Sequence, residues 1–466
     1  MADSSYDFDV AVIGAGPAGY VAGIRAAQLG ANACVIDKGE LGGCCTNVGC
    51  IPTKALWHAA NLLQQMRHAD EAGIDVTGLT LNYAAAAARR DAVVAKLRGG
   101  IKALLAANKV EHVRAAARFE DAHTLALEGD GPDRLRARHV IIATGSQSVE
   151  LPSAPFDHEV IWDSGDAVTA NELPESVIIV GGGYIGVEFA GLYSAFGVEV
   201  TVVEALDRIL PGVDLDCARV VVRRLKKAGA ALHPGTKLES VARDGGGVRA
   251  RLSDGREVSA QRMLVCVGRR PYFAGLAPEA AGIEPGKARR IEVNEHMQTS
   301  QPHVYAVGDV VGDPQLAHVA SQEAVVAAAH ATGSITAAMD YRVVPACVFA
   351  SPEVAMVGMG EEQAREAVGE HVVVKKFPLQ ALGKAHVIGD TDGFVKMIAD
   401  GRRGELLGVH ACGPMASAVL GEAALALQLE CTAEELAATI HAHPTLPEAL
   451  REAADGVVGP PINWRG

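Results

Sequence analysis

The chain has 466 residues, 49% hydrophobic and 21% charged, with 51 glycines and a formal net charge of −14. This length is typical of about three domains, and the balance of apolar and charged residues excludes a disordered, collagenous or low-complexity protein. The acidic charge argues against nucleic acid or an anionic membrane surface as a partner, because such binding needs clustered Lys and Arg.

The N-terminus carries acids where a secretory or organellar leader would carry Lys and Arg. No stretch of 18 uncharged apolar residues occurs, so no transmembrane helix is expected. Nine cysteines, an odd number in a long chain, do not fit the disulfide framework of a small secreted protein. The sequence therefore favours a cytoplasmic protein with reduced thiols.

The first predicted unit is a strand, a Gly-rich turn, a helix and a second strand that ends on an acid. In chain order it comprises a strand at 10–13, Gly14, Gly16 and Gly19 in the turn, a helix through Leu29, and a strand at 33–36 followed by Asp37. In this motif the first glycine allows a tight turn, the second lets the backbone approach a pyrophosphate, and the third lets the helix pack on the strand. The pyrophosphate lies at the helix N-terminus and the acid accepts hydrogen bonds from ribose hydroxyls.

Three cysteines, Cys44, Cys45 and Cys50, follow this unit closely. On an undistorted helix, residues five apart have Cα atoms about 8 to 9 Å apart, which is beyond the ~4.4–6.8 Å that a disulfide tolerates. A bridge between Cys45 and Cys50 therefore requires a distorted turn, which Gly49 and Pro52 allow. Buried free thiols are the alternative. A zinc site would need a second Cys or His pair, and no metal is expected.

A second unit repeats the first, with the same interval between its third glycine and its acid. It comprises a strand at 177–180, Gly181, Gly183 and Gly186, a helix through Phe196, and a strand at 200–203 followed by Glu204. Because a carboxylate suits a free ribose 2′-hydroxyl and repels a 2′-phosphate, Glu204 predicts NAD in preference to NADP. The sequence thus predicts two dinucleotide sites on one chain.

The rest of the chain divides into two further parts. Short strands and turns alternate after the second unit, and a strand near Val304 ends on Gly308 and Asp309. From about Val343 the pattern changes to mixed strand segments and an Ala-rich helix at 416–430. We predict one nucleotide-binding domain interrupted by a second, followed by a C-terminal α+β domain.

The cysteine segment, set between two dinucleotide fingerprints, resembles the pyridine nucleotide–disulfide oxidoreductases over essentially the whole chain. The segments that carry the resemblance are 42–54, 143–145, 268–271, 306–309, 316–318 and 441–448. It implies an α/β fold of two Rossmann-like dinucleotide-binding domains, one inserted in the other, and a C-terminal α+β dimerisation domain. The predicted boundaries are 1–149 for the first part of an FAD-binding domain, 150–272 for an NAD-binding domain, 273–343 for the segment that returns to the FAD-binding domain, and 344–466 for the dimerisation domain.

The resemblance implies FAD at the first unit and NAD at the second. The residues expected on the FAD side are Gly14, Gly16, Gly19, Asp37, Gly43, Lys54, Thr144, Gly145, Asp309 and Ala317. Those expected on the NAD side are Gly181, Gly183, Gly186, Glu188, Glu204 and Gly268. Lys54 is expected to pair with Glu188 and to stabilise a reduced flavin; an ordinary surface lysine is the alternative.

The same resemblance implies that Cys45 and Cys50 form a redox-active disulfide, with Cys50 facing the flavin. Cys44 stands where relatives often carry Thr, so a Cys44–Cys50 pair is the alternative. His443 is expected to act as a base oriented by Glu448, on the disulfide of the other subunit of a homodimer. A structural histidine near a helix end is the alternative for His443.

The implied activity is FAD-dependent oxidation of protein-bound dihydrolipoamide to lipoamide with reduction of NAD⁺. The implied partners are a second copy of the chain and the lipoyl-bearing protein of a 2-oxoacid dehydrogenase or glycine cleavage complex. A glutathione-type reductase working from NADPH is disfavoured by Glu204, and mercuric reductase would need a C-terminal cysteine pair that the tail lacks. A non-catalytic flavin-bearing component would leave the cysteine and histidine pairs unexplained.

Overall fold

In the computed structural model, which describes residues 5–335 and 337–464, the first Gly-rich unit lies at the centre of a parallel sheet. The elements of this part are β1 (Phe8–Ile13), α1 (Pro17–Gln28), β2 (Ala33–Ile36), α2 (Gly43–Val48), α3 (Cys50–Arg67), α4 (Tyr83–Ala107), β3 (Glu111–Val113), β4 (Ala115–Phe119), β5 (Thr124–Gly129), β6 (Arg134–Ile142) and β7 (Ser146–Ser148).

The order β3-β2-β1-β6 is parallel; the first half of β6 pairs with β5 in antiparallel orientation, and β5 pairs in the same way with β4. The residues of β2 and the second half of β1 are buried, as expected for strands covered on both faces. β1 and β2 pair in register, so that Ile13 lies opposite Ile36. Gly14 and Asp37, which follow these residues, therefore meet at one edge of the sheet.

The second unit builds its own parallel sheet in the order β11-β10-β9-β15-β8, with a separate antiparallel sheet of β12, β13 and β14. Its elements are β8 (Ile161–Trp162), α5 (Ser164–Thr169), β9 (Ser176–Val180), α6 (Tyr184–Phe196), β10 (Glu199–Val203), α7 (Leu215–Lys227), β11 (Ala231–His233), β12 (Leu238–Asp244), β13 (Gly247–Leu252), β14 (Glu257–Ala260), β15 (Arg262–Val265) and β16 (Arg269–Pro271).

The chain then returns to the first sheet, where β17 (Val304–Ala306) pairs with β6 and α8 (Ala317–Ala331) packs against α1. The first sheet is therefore completed by residues that follow the whole second unit. This return segment confirms the prediction that one dinucleotide-binding fold is inserted in another.

The C-terminal part is a five-stranded antiparallel sheet in the order β18-β19-β22-β21-β20, with helices packed on it. Its elements are β18 (Ala346–Val348), β19 (Glu353–Gly358), α9 (Glu361–Val368), β20 (Val372–Pro378), α10 (Gly383–Val387), β21 (Phe394–Asp400), β22 (Glu405–Gly413), α11 (Ala416–Gln428), α12 (Ala433–Ala438) and α13 (Glu448–Val458). Short 3₁₀ helices occupy Ala69–Ala72, Pro278–Ala281, Lys287–Arg289, Gly308–Val311, Gly369–His371 and Leu379–Ala381. The predicted fold class, with two Rossmann-like units and a C-terminal α+β unit, is confirmed.

The helix after the cysteines packs directly on the first helix of the second unit. Trp57 of α3 is 4% exposed, and a Cβ at Gly191 of α6 would lie 2.9 Å from its ring. Any larger residue at 191 would displace the ring, so glycine permits the close approach of the two helices. This contact fixes the cysteine helix against the second dinucleotide unit. Across residues 5–335 and 337–464, none of the helices combines the length and the apolar character needed to cross a membrane.

Candidate active site

The cysteine segment is a helix broken at one residue. α2 ends at Val48 and α3 begins at Cys50, and Gly49 between them has φ −138° and ψ −113°. A Cβ at Gly49 would lie 3.0 Å from the carbonyl oxygen of Cys44, so the turn is tight at this residue. The predicted distortion between Cys45 and Cys50 is thereby confirmed.

Cys45 and Cys50 are thiols in the structure, and their side chains interact by a hydrogen bond across this break. A hydrogen bond from the Cys45 thiol lowers the pKa of Cys50 to about 7, against the effect of burial, and the Lys54 ammonium adds to the lowering. The same hydrogen bond, together with burial, raises the pKa of Cys45. Cys50 is therefore the better thiolate and Cys45 its proton donor. Burial raises the pKa of the Cys44 thiol, and the negative charge of the nearby Cys50 thiolate raises it further.

We expect the three thiols of the reduced protein to react with iodoacetamide in a fixed order. With a pKa of about 7 for Cys50, its thiolate fraction rises from roughly a tenth at pH 6 to roughly nine tenths at pH 8. Cys50 should therefore be modified first, with a rate that rises across this interval, and tandem mass spectrometry of the 39–54 peptide checks the order. Cys347 is the matched control, because burial and then Glu353 raise its pKa to about 11. Faster modification of Cys45 than of Cys50 would contradict the assignment.

Two side chains that the sequence analysis missed hold the cysteine segment. Asn47 of α2 donates from Nδ2 to the carbonyl oxygens of Leu41 (3.0 Å) and Gly43 (2.8 Å). Arg98 of α4 donates from Nε (3.1 Å) and Nη2 (2.9 Å) to Asn47 Oδ1, and its Nη1 lies 3.1 Å from Glu40. Asn47 does not belong to a recognisable motif, and Arg98 lies more than 40 residues beyond the cysteine segment in the chain. No sequence pattern therefore points to either residue.

Lys54 and Glu188 form an ion pair between the two dinucleotide units. Lys54 Nζ lies 2.7 Å from Glu188 Oε2 and 4.5 Å from the centre of the Phe349 ring. Glu188 Oε1 accepts a hydrogen bond of 3.0 Å from the Phe349 backbone N–H. The C-terminal sheet region thus supplies a third partner that the sequence analysis missed. The Glu188 side chain is 10% exposed, and each of its carboxylate oxygens has one of these donors as a partner.

The first Gly-rich turn forms a site that fits the ADP half of a dinucleotide. A Cβ at Gly19 would lie 1.8 Å from the Gly14 carbonyl oxygen, so the third glycine brings helix and strand together. A Cβ placed on Gly16 would have the Gly43 Cα as its nearest neighbour, at 4.0 Å. The space beside Gly16 is therefore open and leaves room for a phosphate. Asp37 accepts hydrogen bonds from the N–H groups of Ala15 (2.6 Å) and residue 39 (2.7 Å).

A cavity of about 420 Å³ opens beside this turn and is lined by Gly14, Asp37, residues 115–117 and Thr144. The buried Thr144 hydroxyl has no hydrogen-bond partner among the described residues. A buried polar atom that lacks a partner, in a residue that lines a cavity, is typical of a site that a ligand completes. A Cβ at Gly43 would lie 2.7 Å from the Gly16 Cα, so the cysteine segment starts directly against the turn. These features fit FAD.

The second Gly-rich turn repeats the arrangement. A Cβ at Gly186 would lie 1.9 Å from the Gly181 carbonyl oxygen, whereas the space above Gly183 is open. Glu204 is 8% exposed and accepts hydrogen bonds from the N–H groups of residue 182 (2.6 Å) and Leu206 (2.7 Å). Each carboxylate oxygen retains a further lone pair for a ribose hydroxyl. These features fit NAD.

Gly145 and Asp309, predicted on the FAD side, follow β6 and β17, and Gly268, predicted on the NAD side, precedes β16. Asp309 accepts a hydrogen bond from the Ser146 hydroxyl, and Arg269 donates from Nε to the same hydroxyl at 2.8 Å. Gly145 and Gly268 have φ of 73° and 124°, with open space where a Cβ would stand. Ala317, the last predicted FAD-side residue, is the first residue of α8, and no described side chain caps the N-terminus of this helix.

His443 and Glu448 lie on the C-terminal unit. His443 Nδ1 is 2.8 Å from Glu448 Oε1, and the histidine side chain is 76% exposed. Because an ionised carboxylate only accepts, it favours the neutral tautomer with the proton on Nδ1, in which Nε2 keeps a lone pair. Burial opposes ionisation of Glu448, but hydrogen bonds from the Thr445 N–H and from His443 hold its pKa below the ordinary value.

The structure brings together four predicted groups: the cysteines with Lys54 and Glu188, the first turn with Asp37, the second turn with Glu204, and His443 with Glu448. Within the described part of the chain, no hydrogen bond or ion pair joins His443 or Glu448 to the cysteine segment.

Comparison with known proteins places these features in one family. The family model of the pyridine nucleotide-disulphide oxidoreductases matches residues 8–324, and the dimerisation domain of the same family matches residues 344–454. A dihydrolipoyl dehydrogenase of Geobacillus stearothermophilus is 41% identical over 467 residues, covering 99% of each chain, and one of Haloferax volcanii is 41% identical over 472 residues with the same coverage. The crystal structure of LpdA from Mycobacterium tuberculosis matches with a TM-score of 0.91 at 30% identity, covering 96% of this chain and 99% of that one. The HOCl-induced flavoprotein disulfide reductase RclA of Escherichia coli matches with a TM-score of 0.87 at 28% identity and the same coverage.

Proposed function

The chain belongs to the pyridine nucleotide-disulphide oxidoreductase family, and on this premise we infer that it catalyses the FAD-dependent oxidation of dihydrolipoyl groups with reduction of NAD⁺. The observation that carries the inference is the broken helix between Cys45 and Cys50, where one thiol is stabilised as a thiolate beside Lys54. Two relatives of nearly equal length, each 41% identical to this chain, are dihydrolipoyl dehydrogenases, which supports the inference.

The proposed reaction is a dithiol–disulfide exchange on the oxidised Cys45–Cys50 pair. His443 Nε2 takes a proton from one thiol of the dihydrolipoyl group, and the resulting thiolate attacks Cys45 Sγ. The bond between the cysteines breaks, and Cys50 leaves as a thiolate that Lys54 stabilises. The second substrate thiol gives its proton to solvent and, as a thiolate, attacks the sulfur bound to Cys45. The lipoyl disulfide closes, and Cys45 leaves and takes the proton that His443 holds, so that it ends as a thiol.

When bound, FAD accepts the two electrons of the cysteine pair and supplies a hydride to NAD⁺. We propose that Gly14, Gly16, Gly19, Asp37 and Thr144 hold the ADP half of FAD. Asp309 and Lys54 face its other half. The NAD site is formed by Gly181, Gly183, Gly186, Glu188, Glu204 and Gly268.

The proposed domains are 1–149 and 273–343 for FAD binding, 150–272 for NAD binding and 344–466 for dimerisation. The dimerisation-domain match over residues 344–454 supports a homodimer in which His443 of each chain serves the cysteine pair of the other. The lipoyl group is proposed to arrive on the lipoyl-bearing protein of a 2-oxoacid dehydrogenase or glycine cleavage complex. We also propose a cytoplasmic location, because nine cysteines in a long chain do not fit the disulfide framework of a small secreted protein.

Steady-state turnover of the FAD-loaded protein tests this function. We expect NADH with lipoamide to exceed NADPH with glutathione disulfide by orders of magnitude in kcat/KM. Faster turnover of glutathione disulfide would overturn the substrate assignment, and turnover of neither disulfide would overturn the enzymatic role of the cysteine pair.

Glu204 is expected to set the choice of nicotinamide cofactor. Glu204→Ala removes an acceptor of ribose hydroxyls, and the loss of about 1–3 kcal/mol should lower kcat/KM for NADH roughly 5- to 150-fold, mainly through KM. The ratio of kcat/KM for NADH to that for NADPH should fall, because the charge that repels a 2′-phosphate is gone. Asp37→Ala, the equivalent change in the first turn, is the matched control and should weaken FAD retention while leaving the ratio unchanged. An unchanged ratio in Glu204→Ala would exclude this role.

A further inference from the structure

Two adjacent thiols of α2, those of Cys44 and Cys45, lie close enough to Cys50 to compete for it. The charge of Cys50 acts on Cys44, but the thiol that is hydrogen-bonded to Cys50 is that of Cys45. Neighbouring residues of a helix point in different directions, so the rotation of α2 about its own axis decides which thiol faces Cys50.

α2 depends on contacts with the rest of the chain to fix this rotation. It has six residues, and its N-cap, Gly42, makes no side-chain hydrogen bond. A helix this short is not stable by itself. Thr46 is 6% exposed and packs on Gly42, where a Cβ would lie 2.5 Å from the Thr46 Cβ. The hydrogen bonds that hold a side chain of α2 to another helix come from Asn47.

Glu40, Asn47 and Arg98 form a connected network, hereafter the clamp. Arg98 donates twice to Asn47 Oδ1, at 3.1 and 2.9 Å, and its third nitrogen lies 3.1 Å from Glu40 Oε2. Asn47 Nδ2 donates to the carbonyl oxygens of residues 41 and 43. Every donor faces an acceptor, so the network settles the orientation of the Asn47 amide. The clamp therefore ties α2 to α4 and to the residues that precede the cysteines.

Holding Asn47 against α4 sets the direction of both cysteines. Successive residues of an α-helix are rotated by about 100° about its axis. Cys45, two residues before Asn47, therefore lies about 160° around α2 from it, on the side away from Arg98. Cys44 lies about 60° from Asn47, and a rotation of α2 by about 100° would bring it to the place of Cys45.

We propose that the clamp selects Cys45 over Cys44 as the disulfide partner of Cys50. Arg98 and Asn47 are positioning residues, since they act on the sulfur atoms only by fixing α2. The selection rests on the proposed function, in which Cys50 forms a redox-active disulfide. When the clamp is opened, the Cys44 thiolate attacks Cys50 Sγ, the bond from Cys50 to Cys45 breaks, and Cys45 takes up the proton that Cys44 lost. This exchange needs no oxidant, because one disulfide replaces another.

Mass spectrometry of the oxidised, FAD-loaded protein locates the thiol that is left free. The protein is equilibrated at about pH 8, where thiols exchange, and labelled with N-ethylmaleimide in urea at about pH 5, where exchange is slow. The other two cysteines are then reduced and alkylated with iodoacetamide. Fragmentation of the 39–54 peptide separates a maleimide on Cys44 from one on Cys45. We expect the wild type to carry it on Cys44.

Arg98→Met should raise the ratio of Cys45-labelled to Cys44-labelled peptide roughly 10- to 100-fold, because two charge-assisted hydrogen bonds are lost. Arg98→Lys keeps the charge without the planar fork and should give an intermediate ratio. The Arg98 side chain is 37% exposed, so we expect both variants to fold. Arg114→Met is the matched control: Arg114 also lies beside Glu40, at 3.7 Å, and no hydrogen bond in the described part of the chain joins it to Asn47. Its ratio should equal that of the wild type.

The outcomes separate a failure of the clamp from a failure of the proposed function. An unchanged ratio in Arg98→Met, or a wild type that carries the label on Cys45, would overturn the selection and leave a disulfide to Cys50 in place. A label on all three cysteines of the oxidised wild type would mean that no disulfide forms, and both proposals would fall. An equal rise in Arg114→Met would show that the charge beside Glu40 matters and the bonds to Asn47 do not. None of these readouts depends on turnover.

Discussion

Cys50→Ser is expected to lower kcat for dihydrolipoamide oxidation by about 10³-fold or more, because serine cannot form or break the disulfide that passes the electrons. The long-wavelength absorption of a thiolate beside oxidised flavin should vanish as well. Free-thiol titration after treatment with dihydrolipoamide gives a third readout, since the wild type gains two protein thiols and the variant gains none.

Three other serine variants make this result specific. Cys45→Ser should also lose turnover but keep the absorption, because the thiolate assigned to Cys50 remains. Cys44→Ser should retain turnover; if it fails while Cys45→Ser works, the alternative Cys44–Cys50 pairing is the true one. Cys431→Ser, in the C-terminal unit, is the matched control and should behave as the wild type. Persistence of the absorption in Cys50→Ser would refute the assignment of that thiolate.

His443→Gln is expected to lower kcat about 10²- to 10⁴-fold, the usual contribution of a positioned general base. Glu448→Gln should cause a smaller loss, because the imidazole remains but no longer has the carboxylate that holds the proton on Nδ1. His371→Gln changes an exposed histidine of the same unit and should have no effect.

Mixed dimers separate action within a chain from action across the dimer. In a dimer of one Cys50→Ser chain and one His443→Gln chain, one site combines an intact cysteine pair with the partner's intact histidine. Random association of the two variants should therefore restore about a quarter of wild-type activity. If His443 serves the cysteines of its own chain, such mixtures contain no complete site and stay inactive.

The fold and the two dinucleotide turns were predictable because their determinants are local. A turn glycine, a buried strand and an acid at the end of the next strand lie within one βαβ unit, and each follows from backbone sterics. The break at Gly49 was predictable for the same reason, since the disulfide geometry of Cys45 and Cys50 excludes a regular helix.

The partners that hold the site were not predictable, because they are distant in the chain and generic in type. Arg98 reaches Asn47 from the next helix but one, and the Phe349 N–H reaches Glu188 from the C-terminal part.

The pairing of β17 with β6 has a consequence for synthesis on the ribosome. The nascent chain presents the open edge of β6 after residue 142, yet its neighbour at 304–306 emerges only after the entire second unit. At about 5–20 residues per second, this leaves the edge exposed for roughly 10 to 30 seconds. The inserted unit, which has its own complete sheet, is free to fold first. If Asp309 holds FAD, as we propose, the cofactor binds only after this residue has emerged. The growing chain is therefore most open to aggregation and to chaperones while the edge of β6 is exposed.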